Sequence, residues 1–494
     1  MTQFAVFALL IGTGCVSAVG AIIVDSESTA VFRLVLALFA FYVFCECRVY
    51  ISRSDDLGLL SPVLLASFCH FFLGYILPSV ATIYDPWILD RFSLLASTDD
   101  QTKALLISML ATFCMWRGYY LGRLLIGPIR HQLRLTVSLR KGLRPALIPV
   151  IMLQALYVVL VLIAASRGIF GFAGSGEARQ ANVDFLEILN IGMSGGALSL
   201  FLLLTHCFRV RAEGQSAVTL SVLCASLLFV SVAFGAISGF KSQIVMPFVL
   251  LTMARFVATR QISLVYISLG FVAMILAYNV IEPYRVYLNN NSVVGTRDVG
   301  TLFEALQQSK EDQPLDENDI PLGSQIISRF DLTGMTSVGL AHATYIGVDP
   351  EISSRMGESI YLSPILAFVP RFLWSGKQSY STGVWFNQAI IGKLDDATTS
   401  VGMGPVTFLY FVGGVAGVAA GFALLGILQA LIFEGLARSG AGGLIIYLSA
   451  TTMLVMIPSD FGPALTGTLR IIPIAFVAQY LLLAADRPSG RFPR

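Results

Sequence analysis

The stretch 369–380, VPRFLWSGKQSY, sets Arg371 and Lys377 among Phe372, Trp374 and Tyr380 in an otherwise apolar chain. Other cations stand in short stretches of their own: Arg167 and Arg179 in SRGIFGFAGSGEARQ, Lys241 in SGFKSQ, Arg285 in EPYRVY and Arg329 in ISRFD. Arginine offers five donors in a planar fork that fits phosphate and carboxylate, while lysine offers a compact point charge. An unpaired arginine at membrane depth costs several kcal/mol, about 2.5–3.5 even on the lenient insertion scale. Gathered at one membrane face, these residues therefore predict an anionic ligand there, and a lipid-linked diphosphate carries its head group at that depth. Ion pairing with neighbouring acids is the alternative. The segment 282–405 holds fourteen Asp and Glu against eight Lys and Arg, but six of the acids crowd into 304–319, away from the cations.

Acid–base chemistry has few candidates. Of the four histidines, His70 and His206 fall in apolar stretches and His131 in a basic one, which leaves His342 in GLAHATY. An imidazole titrating near neutral pH suits a general base that takes a proton from a sugar hydroxyl. Were 326–345 one helix, Asp331 and His342 would share a face but lie about 16 Å apart. Gly334 and Gly339 weaken that helix as a sequence expectation. Glu282, Asp349 and Glu358 are the other candidate bases. The sequence has no HExxH, CxxC, external DxD, P-loop, Rossmann glycine run or nucleophile elbow. The expectation is thus chemistry without a metal or cofactor, and without nucleic acid as partner.

The elements that must position these residues are membrane helices. Of 494 residues, 56% are hydrophobic and 13% charged, with a mean hydropathy of +0.77; soluble chains carry roughly 25% charged residues. The seven cysteines fall in or beside apolar stretches, so a disulfide framework is not expected. A crossing helix needs about 20 apolar residues, and the windows predict twelve: 3–24, 30–47, 58–80, 104–124, 146–165, 189–207, 217–236, 243–258, 262–281, 406–434, 442–458 and 470–485. The first lacks the basic start of a signal peptide and reads as an uncleaved helix. Glycines in 406–434 invite close approach by a neighbour. Sixteen basic residues, including Arg130, Arg134, Arg140, Lys141 and Arg144, fall on one side under strict alternation, against seven in short loops on the other. The first side is therefore expected to be cytoplasmic, with both termini. Arg117, in CMWRGYY, is expected to snorkel towards it.

The predicted fold class is thus an all-α polytopic membrane protein in three parts. Helices one to nine fill 1–281, a large external loop with short helices fills 282–405, and helices ten to twelve with a tail fill 406–494. Within the loop, 310–321 reads as a solvated tip, while 326–347 and 361–374 are apolar enough to pack back onto the membrane helices.

This layout resembles the bacterial oligosaccharide repeat-unit polymerases, the Wzy-type enzymes of O-antigen and exopolysaccharide assembly. SGFKSQIVMPFVLLTMARF resembles that family's turn leading into a span, with Lys241 where arginine is more usual. EPYRVY resembles its tyrosine–arginine element, and FVPRFLWSGKQSYSTGVWFN its proline–arginine, aromatic, lysine stretch, with Gln378 where a proline often stands. The resemblance implies a metal-independent glycosyltransferase of the bacterial inner membrane. It would move a glycan from undecaprenyl diphosphate onto the incoming lipid-linked repeat unit, with a chain-length regulator and a flippase as partners. On that reading Arg329 and Arg371 act with His342 in catalysis, and Arg167, Arg179, Lys241, Arg285 and Lys377 bind diphosphate and glycan. Trp374, Tyr380 and Trp385 would stack on sugar faces. An O-antigen ligase, a transferase using polyprenyl phosphosugars, and a transporter or flippase are the competing readings.

Overall fold

The computed structural model describes residues 27–85, 87–90, 92, 94–136, 139–167, 169–171, 183–290, 307, 322–328, 330–369, 382–394, 400–458 and 461–484. Among them the chain is helical without a strand, apart from an isolated bridge between Pro145 and Leu483. The principal helices are α1 (Glu27–Arg53), α2 (Pro62–Ala81), α3 (Thr98–Thr136), α4 (Leu147–Ser166) and α5 (Val183–Ala212). Next come α6 (Val218–Ser238), α7 (Lys241–Thr259), α8 (Leu264–Asn290), α9 (Leu332–Tyr345), α10 (Pro350–Tyr361) and α11 (Ser363–Phe368). The last three are α12 (Pro405–Ala430), α13 (Ala441–Thr451) and α14 (Phe461–Leu482).

Nine of the described helices are long and apolar enough to cross a membrane: α1 to α7, α12 and α14. Leu264–Ala277 and Ala441–Thr451 are apolar but shorter. These eleven correspond to eleven of the twelve expected spans, and the first, 3–24, lies outside the described residues. Several boundaries differ from the sequence expectation, among them α3, which runs on to Thr136, and α5, which begins at Val183. Helix α8 continues to Asn290, so EPYRVY rides on its last turns instead of opening a loop. Helix α14 starts at Phe461, nine residues ahead of the apolar window, because GPALTGTL is helix-compatible though less apolar.

The chain forms two compact units. The first comprises 1–138, 320–439 and 446–475. Its centre is the pair α3 and α12, which approach closely through glycine. A side chain at Gly118 would strike the Ala423 carbonyl, and one at Gly426 the Met115 carbonyl. Small residues permit this contact where lipid supplies no hydrophobic drive between helices. Helix α12 is broken at Gly413 and Gly414, the latter at φ +60°, a conformation open to glycine at no steric cost. The Ser353 hydroxyl of α10 donates to the Phe411 carbonyl at this break, 2.8 Å, satisfying a group that lipid could not.

The short helices 332–368 do pack back onto the spans. Asp331 caps α9 by accepting from the Gly334 amide at 2.9 Å, and Asp349 caps α10 by accepting from Glu351 at 2.9 Å. Pro350 occupies the first position of α10, where its missing N–H costs nothing. Gly334 and Gly339 lie inside α9 because bulk is excluded there: Phe92 crowds the first and Thr407 the second. Hydroxyl pairs tie α9 to α2, with Tyr75 to Thr336 at 3.1 Å and Ser79 to Thr333 at 3.0 Å.

The second unit comprises 139–319, 440–445 and 476–494. Helix α4 packs on α5, and α7 packs on α5, α6 and α8. Arg140 anchors the polypeptide at one edge, its amide donating to Gln479 Oε1 at 3.0 Å and its carbonyl accepting from Gly442 at 2.9 Å.

Candidate functional site

Three cation-bearing stretches, far apart in sequence, come together in the second unit. Arg167 is the C-cap of α4, and the turn after it carries Ile169, Phe170 and Gly171. Ile169 and Phe170 are buried with Val161, Ala164 and Leu189. Gly171, at φ +88°, lies so close to Ser238 that a Cβ would strike its carbonyl. Ser238 ends α6, Gly239 reverses the chain at φ +70°, and Lys241 begins α7 two residues later. On the other side of the same turn, the buried Tyr284 of α8 donates its hydroxyl to the Ile237 carbonyl at 3.4 Å. Ile244, Ala277 and Ile281 form a buried cluster that joins α7 to α8. The Arg167 turn, the Lys241 turn and the Tyr284–Arg285 step therefore meet at one end of this unit.

Lys241 is the first residue of α7, where a cation opposes the positive end of the helix dipole. Backbone amides at that end, with a lysine beside them, favour an anion. The Arg167 guanidinium lies over the Phe185 ring, 5.0 Å from its centroid. That is a cation–π contact, which orients the charge.

In the first unit, His342 lies half-buried in the last turn of α9. Burial pushes its imidazole below the ordinary value of 6.5, which keeps it neutral and able to accept a proton at pH 7. Lys103 donates to Thr344 at 2.7 Å, placing an ammonium within two residues of it in sequence. Asp331 does not orient His342: it is spent on the N-cap at the other end of the helix. Of the other candidate bases, Asp349 is likewise a cap, Glu358 accepts from Ser354 at 3.3 Å, and the Glu282 side chain is outside the described residues.

Arg329, Arg371, Arg179, Lys377, Trp374 and Tyr380 lie outside the described residues, as do the side chains of Lys241 and Arg285. Trp385 packs edge-on against Phe411 with ring centroids 5.8 Å apart. Arg355 pairs with Glu351 one turn earlier, the structural role weighed for loop cations. Arg470 is a cation the sequence reading left aside. It is the tenth residue of α14, and its Nε donates to the Ala367 carbonyl at 3.1 Å, near the end of α11. The signal was present: GTLRII places a lone arginine in an apolar helix, where the guanidinium needs partners. Its partner is the segment that leads directly to VPRFLWSGKQSY. Among the described residues no three His, Cys, Asp or Glu side chains gather as a metal would require.

Residues 191–447, 257 of the chain's 494, match the model of a family described as a domain of unknown function, DUF8712. That stretch holds Lys241, Arg285, Arg329, His342, Arg371 and Lys377 and leaves out Arg167 and Arg179. No curated protein and no solved structure matches the chain.

Proposed function

The chain belongs to the DUF8712 family, and we propose that it is a membrane glycosyltransferase that polymerises lipid-linked oligosaccharide repeat units. The observation that carries this reading is the meeting of the Arg167, Lys241 and Arg285 stretches at one end of the second unit, with Lys241 on a helix N-terminus. On the proposed topology that end faces outward, where a prenyl diphosphate head group lies and nucleotide sugars do not.

In the proposed reaction the acceptor is a hydroxyl at the non-reducing end of the incoming lipid-linked unit. Its oxygen forms a bond to the anomeric carbon of the donor glycan, while the bond from that carbon to the undecaprenyl diphosphate breaks. His342 takes the hydroxyl proton as a neutral imidazole, and the departing diphosphate keeps the electron pair. Its developing charge calls for cations, the role proposed for Arg285, Arg329, Arg371, Lys377 and Lys241. Arg167 and Arg179 position the second lipid-linked substrate, and Trp374 and Tyr380 offer ring faces to its sugars.

Deletion of the gene, followed by gel analysis of surface glycan, tests the reading. Loss of long chains with single repeat units retained is the expected result. Unligated long polymer would assign a ligase instead. Complementation with Arg371→Ala should fail to restore long chains at normal protein level, and full restoration overturns the assignment. A transporter is the second reading, favoured by the break in α12, since discontinuous helices line many transport sites. Loss of every unit from the cell surface would select it.

A further inference from the structure

Between α10 and α11 the chain changes what it turns outward. Helix α10 is ordinary for a helix beside water: Ile352 and Met356 are buried, Glu351 and Ser354 are exposed, and Arg355 pairs with Glu351. Past Glu358 the pattern inverts. Ser363 and Ala367 are buried, while Tyr361, Pro364, Ile365 and Phe368 are exposed. Their spacing of i, i+3, i+4 and i+7 makes one stripe on a helix. The backbone keeps that register, because the amides of Leu362, Leu366 and Val369 donate to the carbonyls of Glu358, Leu362 and Ile365. Tyr361, Ile365 and Phe368 are 65%, 52% and 60% exposed. A short helix in water turns its large apolar residues inward and its serine outward; this one does the reverse.

The neighbour of this stretch is α14, one of the helices long and apolar enough to cross a membrane. A side chain at Gly462, in the first turn of α14, would strike the Ser359 hydroxyl. Further along, Arg470 Nε donates to the Ala367 carbonyl at 3.1 Å. These two contacts lie eight residues apart on both segments. The stretch 359–367 therefore runs alongside α14 in the same direction, from its first turn towards a level about 12 Å further along the axis. A carbonyl near the end of a short helix needs a donor where lipid replaces water, and Arg470 supplies one.

We propose that α11 is inserted in the membrane surface, with Tyr361, Pro364, Ile365 and Phe368 seated at the boundary between head groups and acyl chains of one leaflet. Tyrosine suits that boundary, since its ring can lie in the apolar layer and its hydroxyl in the wet one. This seating is independent of the chemistry proposed above. It fixes the level at which VPRFLWSGKQSY begins.

Tryptophan placed in the stripe reads its surroundings. Ile365→Trp, Phe368→Trp and, as a water-facing control on α10, Glu351→Trp are prepared as full-length proteins in phosphatidylcholine vesicles. The emission of the parent's four tryptophans is subtracted. Brominated acyl chains should quench the added emission at 365 and 368 by at least about half, and iodide on both sides of the bilayer should quench it little. Glu351→Trp should show the reverse. Quenching at 365 and 368 by iodide alone would place α11 in water and overturn the proposal. Protection from both quenchers would mean that protein covers the stripe, a second copy or another part of the chain, and overturns it equally. Should one of the two stripe variants fail to fold, the other decides.

Discussion

Cations are handled in two different ways in this protein. In the first unit the arginines near the ends of α1, α3 and α12 face carboxylates. Arg438 pairs with Glu434 at 3.0 Å and with Asp55 at 3.0 Å, Arg123 stands 3.6 Å from Glu434, and Arg117 pairs with Glu46. Tyr119 adds a hydrogen bond to Glu434 at 2.9 Å. In the second unit the stretches bearing Arg167, Lys241 and Arg285 are positioned by glycine contacts, apolar packing and a tyrosine hydroxyl, and Lys241 works against a helix dipole. A charge that the fold pairs contributes to the fold. On the proposed function, the cations of the second unit are kept for a ligand.

The sharpest break of this contrast comes from the paired end. Glu434→Ala leaves Arg438 short of a partner and Tyr119 without its acceptor in a buried place. Removing one member of a buried ion pair typically costs about 3 kcal/mol or more. Thermal unfolding in detergent should therefore show a large loss, while Glu434→Gln, which retains an acceptor for Tyr119, should lose less. A melting temperature unchanged in both variants would mean that these pairs hold nothing together.

Next in size is the opposite substitution. Lys241→Ala removes a charge that its helix does not favour, so unfolding temperature should stay level or rise slightly. Polymer synthesis by purified protein in lipid vesicles should nevertheless fall by about a hundredfold, the usual scale for losing one preset electrostatic contact. Destabilisation with full activity would reverse the assignment of the two regions.

His342→Ala should lower turnover by at least about tenfold with little change in lipid-substrate affinity. The pH dependence carries the sharper reading. Because burial holds the His342 imidazole below 6.5, the neutral, proton-accepting form persists as pH falls through that value. The acid limb of the rate profile should thus lie below 6.5 and vanish in His342→Ala. An acid limb unchanged in the variant would move the base elsewhere, to Glu358 or to no residue.

Much of the scaffold was legible in the sequence and much of the site was not, for physical reasons. Apolar windows mark membrane helices because lipid demands that composition, and α1 to α7, α12 and α14 follow them. The glycines of 406–434 likewise announced a close neighbour, and Gly118 and Gly426 supply it. What hydropathy could not register is polar helix: α8 past 281 and α14 ahead of 470 continue as helix because their backbones stay hydrogen-bonded outside the apolar window. Arg117, expected to snorkel, pairs with Glu46 of α1, a partner that the sequence around Arg117 does not reveal. Arg470 escaped notice for the related reason that its partner, a backbone carbonyl, has no sequence signature. Most invisible was the meeting of the stretches that bear residues 167, 241 and 285, to which a hydroxyl and a glycine contribute.

Those two contacts give the finest test. Tyr284 is fully buried, and its 3.4 Å bond to the Ile237 carbonyl is a long one, so Tyr284→Phe should cost no more than about 1 kcal/mol of stability. The ring remains. What changes is the tie between the α8 stretch that bears Arg285 and the turn that bears Lys241. If these cations bind one diphosphate, slackening the tie should raise KM for the lipid-linked substrate several-fold and leave kcat nearly unchanged. Gly171→Ala, which forces a Cβ into the Ser238 carbonyl at a positive φ, should raise KM further and lower the melting temperature as well. A Tyr284→Phe protein with unaltered KM would show that the two cations act on separate ligands, and the meeting of their stretches would then be a matter of packing alone.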